Sequence, residues 1–346
     1  MPPTSIDGQC RQAIAVARRG DPQAGLILAR VALQAARAAA LPDARCRAMN
    51  TLAACQAIQG AFIESVATSL DAYRMAGEHR FRVRAIEALV TLVGAAGFIV
   101  DTPADALAVM DHCLAEAMAC GGGALERRVH FVRGVVYFGL GRWDEAETEY
   151  HRALMLADDG EVPASLIHGN LAHVSVRRAL IETGEARAHR WHEAERRIAA
   201  VQSMLGEEGN PDGEARAWLN LGSLRLQQER YAEAQEALEK SLALSEATRH
   251  SARAIDVLIR LGTLYLACSR PERALTSFIE AYRRAELARP TPSIAKALEC
   301  LANVYDHDGK AALAAQHRTL AAREHREYRQ ASEKMRIELK RLWQTL

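Results

Sequence analysis

The chain has 346 residues with 44 Lys and Arg against 43 Asp and Glu, a net charge of +1 that excludes a global field drawing it to nucleic acid or an anionic membrane. Hydrophobic residues make up 49% and aromatic ones 5%, which is too apolar for general disorder and suits closely packed, Ala- and Leu-rich helices. That length also exceeds what one globular core usually supports, so an array whose core grows in one dimension is expected.

The N-terminus, MPPTSIDGQCRQAIAVARRGD, has no basic start followed by an apolar run, and no signal peptide is expected. From there a small residue recurs at Ala24, Ser65, Ala106, Ala146, Ala194, Ala234, Ala274 and Ala314. The intervals are 41, 41, 40, 48, 40, 40 and 40 residues, with no strand-like segment between them. Such a period predicts helix pairs, each burying its apolar face against its neighbours.

In the first three units the small position of the first helix falls on Gln12, Ala53 and Gly94, and Phe62 opens a second helix. Residues 85–100 are apolar but too short and glycine-containing to span a bilayer. Cys120, Gly121, Gly122 and Gly123 predict a flexible turn and the one candidate hinge. The fourth unit carries Gly134, Tyr137, Trp143, Ala146, Tyr150 and Ala153. In the fifth, the first helix (165–182) is expected to run on by about ten residues before Trp191 opens the second. Residues 206–213, GEEGNPDG, predict a polar surface loop.

The sixth unit is the clearest: Trp218, Leu221, Gly222 and Leu226 at helical spacing, the turn QQERY, then Tyr231, Ala234, Leu238 and Leu242. The seventh repeats it with Leu258, Leu261, Gly262, Tyr265, Ala274, Phe278 and Ala281, and the eighth with Leu298, Leu301, Ala302, Tyr305, Ala314 and Ala321. Gly or Ala on the first helix and Ala on the second are expected where the two backbones cross. Most prolines, including Pro42, Pro103, Pro163, Pro211, Pro290 and Pro292, fall at expected loops. From 311 to 346 neither Gly nor Pro occurs, which predicts one helix on the order of 50 Å long. From 316 onward it carries eight Lys and Arg against four Glu, which reads as a solvated basic face. On it Met335, Leu339, Leu342 and Leu346 follow a 4-3-4 spacing, a short heptad seam expected to cap the array or to dimerise.

Catalytic signatures do not emerge. There is no phosphate-binding glycine loop, no nucleophile elbow and no His-Glu-x-x-His helix. His189 and His192 flank Trp191, and His307 lies between Asp306 and Asp308; both groups read as solvated. The seven cysteines (Cys10, Cys46, Cys55, Cys113, Cys120, Cys268, Cys300) lack paired short spacing and read as reduced packing residues of a cytoplasmic protein. No catalytic residue, metal ligand or cofactor is expected, and the chain is not expected to be an enzyme.

Leu258, Leu261, Gly262 and Tyr265 followed by Ala274 and Phe278 carry a resemblance to the tetratricopeptide repeat (TPR), lacking only its first Trp. The resemblance implies an all-α fold: a right-handed TPR-like α-solenoid of about eight helix-turn-helix repeats with a long C-terminal helix. It covers residues 124–322 strongly and 1–120 by spacing, leaving 323–346 as a capping or signalling helix. The period near 40 resembles that of kinesin light chains, bacterial peptide-pheromone receptors and bacterial signalling sensors.

In TPR arrays the first helices line a concave face. The resemblance therefore places Asn50, Asn170, His173, Arg177, Arg216, Asn220, Arg260, Lys296 and Asn303 on that face. Asn can pair with a peptide backbone, and Arg can fork onto carboxylates. Asn220 and Arg260 match two members of the carboxylate clamp of chaperone-binding TPR proteins, but Gly169, His173 and Asp256 stand where a clamp has Lys, Asn and Lys. The implied partner is a peptide, protein segment or small ligand, bound by a bacterial sensor or by a passive adaptor, with a homodimer through the last helix and no nucleic acid or membrane. An array running into REHREYRQASEKMRIELKRL also resembles the sensor half of TPR-linked GGDEF diguanylate cyclases, whose catalytic domain follows such a helix.

Overall fold

The computed structural model describes residues 5–97, 103–157, 160–248, 251–287 and 292–345; Pro290 and Leu346 lie outside them. Among the described residues there are sixteen helices and no strand. They run α1 (Ile6–Arg18), α2 (Pro22–Ala38), α3 (Pro42–Gln59), α4 (Phe62–Glu78), α5 (Arg82–Ala96), α6 (Pro103–Ala119), α7 (Gly123–Gly139) and α8 (Trp143–Leu154). Then follow α9 (Ala164–Ile181), α10 (Gly184–Glu208), α11 (Pro211–Gln227), α12 (Tyr231–Ala247), α13 (Ser251–Ala267), α14 (Pro271–Leu287), α15 (Ser293–His307) and α16 (Ala311–Trp343).

The period has a backbone cause. Residues 20, 40, 60, 80, 121, 141, 209, 229, 269 and 309 all have positive φ, so the chain reverses into the left-handed region about once every twenty residues. Such a residue ends a helix by turning its carbonyls out of register. Two twenty-residue steps make one repeat. Ala40, Arg80, Glu229 and Ser269 occupy this region without being glycine, at a steric cost of about 1–2 kcal/mol each. Pro42 and Pro211, expected in loops, instead open helices, and with Pro22 they sit in the first turn, where a missing N–H costs nothing.

The described helices and cores fall into two compact units, residues 1–201 with 334–346 and residues 202–333. Successive helices pack as neighbours from α1 to α9 in unit 1 and from α11 to α15 in unit 2, and the first helices also lie side by side: α1, α3, α5, α7 and α9, and α11, α13 and α15. The glycine run at 121–123 lies inside unit 1 as a short turn, with Gly121 at φ 68° and α7 starting at Gly123.

Seven of the eight recurring small residues are buried, from Ser65 to Ala314. Ala24 is not; its neighbour Gly25 takes the crossing, and a Cβ there would lie 2.6 Å from Ala17 Cβ. On the facing helix Gln12 is exposed and Ala13 buried, so the first unit is displaced by one residue. The glycines of the first helices do not meet these alanines. A Cβ on Gly134 would strike Tyr150 at 2.5 Å, on Gly222 Leu238 at 2.6 Å, and on Gly262 Phe278 at 2.4 Å. Each glycine makes room for the large side chain one turn after the alanine.

In the fifth unit the added residues belong to the second helix: α10 begins at Gly184, two turns before Trp191. The segment 206–213 is not a loop, because α10 continues to Glu208 and α11 starts at Pro211. Asn210 caps α11, its side chain accepting from Gly213 N at 2.9 Å. Among the cysteines, Cys120 is exposed rather than packed, whereas burial pushes the Cys55 and Cys113 thiols up to about 12.

The apolar stripe of the last helix is filled by the chain itself. Met335 and Leu339 are buried in a unit 1 core with Leu70, Leu89 and Met110, and Leu342 and Trp343 pack against it. Arg74 Nη2 donates to Glu338 Oε2 at 2.9 Å beside them. Met335 and Leu339 are therefore unavailable for the expected intermolecular seam: an apolar stripe tethered to its own core meets it at high effective concentration. No described helix is long and apolar enough to cross a membrane.

Candidate functional site

Six or seven residues before the small position of the first helix, seven of the eight repeats carry a charge, the exception being the fifth, where the aligned residue on α9 is Gly169. The charged residues are Asp7, Arg47, Glu87 and Arg128 in unit 1, and Arg216, Asp256 and Lys296 in unit 2. Spacings of 40 or 41 within each unit place these residues on one row of adjacent first helices, one per repeat. Because helices one repeat apart are neighbours, opposite signs meet. Arg47 lies 3.6 Å from Asp7 and 3.0 Å from Glu87, and Arg128 lies 3.4 Å from Glu87. In unit 2 Lys296 Nζ is 3.6 Å from Asp256 Oδ1. The same rule joins Arg84 to Asp43 at 3.0 Å and Arg253 to Asp212.

In unit 1 this row is closed. The link between α8 and α9 bends inward, and Glu161 and Val162 are buried. Glu161 Oε1 accepts from Arg47 Nη2 at 2.6 Å, and Oε2 lies 2.9 Å from Arg128 Nη1. Arg18 Nη1 donates to the Gly160 carbonyl at 2.9 Å, and Arg127 Nε to the Val162 carbonyl at 2.9 Å. Gly160 has φ 80°, a conformation that only glycine adopts cheaply and that turns its carbonyl toward α1. Three consecutive residues are thus held by two backbone carbonyls and one carboxylate, with arginines from α1, α3 and α7.

The electrostatics are strong because the pairs are dry. Burial alone would push the Glu161 carboxyl up, but Arg128 and Arg47 outweigh it and hold it down to about 2. The guanidinium of Arg47 is disfavoured by burial yet raised overall by Glu161 and Glu87. Asn50, expected on an open face, is buried, donating to Glu87 Oε2 at 3.2 Å and to the Arg84 carbonyl at 3.1 Å.

The remaining expected residues divide between the units. Asn170, His173 and Arg177 follow one another on α9 in unit 1, where His173 stacks on Phe138 with ring centres 5.7 Å apart. In unit 2, α11 carries the half-buried Arg216 and Asn220, α13 the exposed Arg260, and α15 the exposed Lys296 and Asn303. Asn220 and Arg260 share one repeat register, and Thr263 and Asn303 another. The clamp expectation leaves Asp256 paired with Lys296, which directs a carboxylate, not a cation, toward part of the stripe. His189 and His192 are exposed on α10, and no cluster of potential metal ligands occurs among the described residues.

Comparison with known proteins agrees on architecture. Residues 213–287 and 127–159 match tetratricopeptide repeat models, so the chain contains such repeats in both segments. Among curated proteins, none matches this sequence. Of solved structures, the apo quorum sensor NprR from B. thuringiensis is 12% identical with a TM-score of 0.59, covering 85% of this chain and 81% of that one. NprR in complex with its cognate peptide NprX is 10% identical with a TM-score of 0.50, covering 77% and 72%. A Rap protein complexed with competence and sporulation factor is 13% identical with a TM-score of 0.52, covering 76% and 77%. At these identities the likeness is one of fold.

Proposed function

We propose that the protein is a non-catalytic interaction module that takes an extended peptide or protein segment along the first-helix face of unit 2. The observation that carries this reading is the set of polar residues Asn220 on α11, Arg260 on α13 and Lys296 and Asn303 on α15, exposed or half-buried on successive first helices and outside the apolar cores. Amides and guanidinium groups on successive helices suit a ligand whose backbone repeats and whose side chains vary. NprR, which folds alike and is complexed with its cognate peptide NprX, supports the reading, as does a Rap protein of like fold complexed with competence and sporulation factor. The free cysteines suit a cytoplasmic setting.

Capture from native lysate tests it, with Asn220→Ala/Arg260→Ala as the matched control. The partner is expected on the parent protein and at least tenfold depleted on the variant, at an unchanged melting temperature. Equal recovery would refute the assignment.

Output belongs, on this reading, to residues 334–345. Their release from unit 1 would expose Met335 and Leu339 and permit a homodimer. A catalytic domain after the helix, as in the cyclases this architecture resembles, would receive the same motion. Light scattering and hydrogen exchange with and without the captured partner test this arm; a monomer with unchanged protection of 334–345 in both states removes it.

A further inference from the structure

The nine-residue link from Met155 to Pro163 departs from the rest of the array. The helix before it, α8, has 12 residues, whereas α2, α4, α6, α12 and α14 each have 17. The helix ends at Leu154, and at Glu161 the chain reaches the charged row of unit 1. Forgoing helical hydrogen bonds is unfavourable unless other partners replace them. Here Arg127 Nη1 donates to the Ala153 and Leu156 carbonyls at 3.3 and 2.9 Å at the end of α8, Arg18 and Arg127 Nε take the Gly160 and Val162 carbonyls, and Arg47 and Arg128 hold the Glu161 carboxylate.

This arrangement does not depend on the segment being covalently part of the array. Arg47, Glu87 and Arg128 are fixed by their own helices and already pair with one another at 3.0 and 3.4 Å. What they add to Glu161 is two further guanidinium faces on one carboxylate, and what Arg18 and Arg127 add is recognition of carbonyls that any peptide has. The pocket reads one side chain and the backbone on either side of it.

We propose that the first-helix face of unit 1 is a binding pocket for an extended peptide bearing a glutamate, and that Gly160, Glu161 and Val162 are its resident occupant, displaceable by such a peptide supplied from outside. The pocket is separate from the unit 2 stripe and goes beyond the function proposed for it. With the resident segment in place, unit 1 is closed to acidic partners; with it released, four arginines turn to a new ligand.

The test uses the full chain and a fluorescein-labelled, end-capped peptide of sequence ADDGEVPAS, copied from residues 157–165. In the Glu161→Gln variant the resident carboxylate is neutral, and the labelled peptide is expected to bind at least tenfold more tightly than to the parent protein, by fluorescence anisotropy. The same peptide with Gln in place of its Glu should bind at least tenfold more weakly. Adding Arg128→Gln to the Glu161→Gln background should abolish binding, while Asn220→Ala/Arg260→Ala should leave it unchanged. In the parent protein, excess unlabelled peptide should speed hydrogen exchange of residues 155–165. Absence of binding to folded Glu161→Gln protein together with unaltered exchange in the parent would overturn the proposal, as would equal binding of the Gln peptide. Should Glu161→Gln not fold, the exchange measurement alone decides. Loss of the captured partner with the unit 2 variant, by contrast, bears only on the unit 2 stripe.

Discussion

Two rows of charge occupy the same repeat position and differ in what lies over them. Arg47, Glu87 and Arg128 in unit 1 alternate in sign as Arg216, Asp256 and Lys296 do in unit 2. The first row is nine-tenths buried beneath Glu161, while Lys296 and Asp256 are about half exposed. Pattern alone therefore does not separate a structural ion ladder from a binding face; the covering segment does. Where water is excluded the pairs are strong and their loss costly, and where it is not they contribute little and remain open to a ligand.

The largest effect should follow Arg47→Ala, which strips partners from Asp7, Glu87 and Glu161 together. Leaving buried carboxylates without that guanidinium is expected to destabilise unit 1 by about 3–5 kcal/mol, read from denaturant unfolding. A loss below about 1 kcal/mol would mean the row is wet after all.

Acid sharpens the same contrast. Glu161 titrates at about 2 in the folded chain and near 4.5 when unfolded. Its contribution is complete above about pH 4.5 and disappears as pH falls toward 2, a loss of roughly 3 kcal/mol by linkage. The difference in stability between the parent and Glu161→Gln should shrink over that window, and a difference independent of pH would contradict the assignment.

Gly262→Val drives a branched side chain into Phe278, whose ring carbon already lies 2.4 Å from where Cβ would stand. A cost of about 1–3 kcal/mol is expected in unit 2. The smallest effect should come from Lys296→Ala, within about 0.5 kcal/mol in thermal unfolding, because its ion pair is solvated.

Much of the architecture was legible in the residues. The interval of 40 marks the helix pairs and the buried alanines of the second helices, because steric exclusion leaves a trace in residue size; the expected meeting of Gly222 and Gly262 with Ala234 and Ala274 does not occur, since those glycines face Leu238 and Phe278. Residue size alone leaves the first unit one residue out of phase, since Ala24 and Gly25 are both small and only the packing against Ala17 chooses between them. Spacing alone places the extra residues of the fifth unit in the wrong helix, as nothing local in residues 182–190 stops α10 from starting early. Of the expected site residues, helical phase projects the exposure of Arg260, Lys296 and Asn303 in unit 2. It does not project the closure of the unit 1 row. The alternating charge at 7, 47, 87 and 128 was present as a signal, but the arrival of Glu161 is a contact over 114 residues from Arg47 that no period encodes. The apolar stripe at Met335 and Leu339 was likewise visible, while its burial partner was not.

Site-specific photocrosslinking tests the division of labour most directly. A benzophenone side chain placed at Thr263, exposed on α13, should capture an extended partner segment from native lysate, while the same group at Glu239, exposed on α12, should capture none. Crosslinks of equal yield at both positions, or only at 239, would contradict the claim that first helices carry recognition.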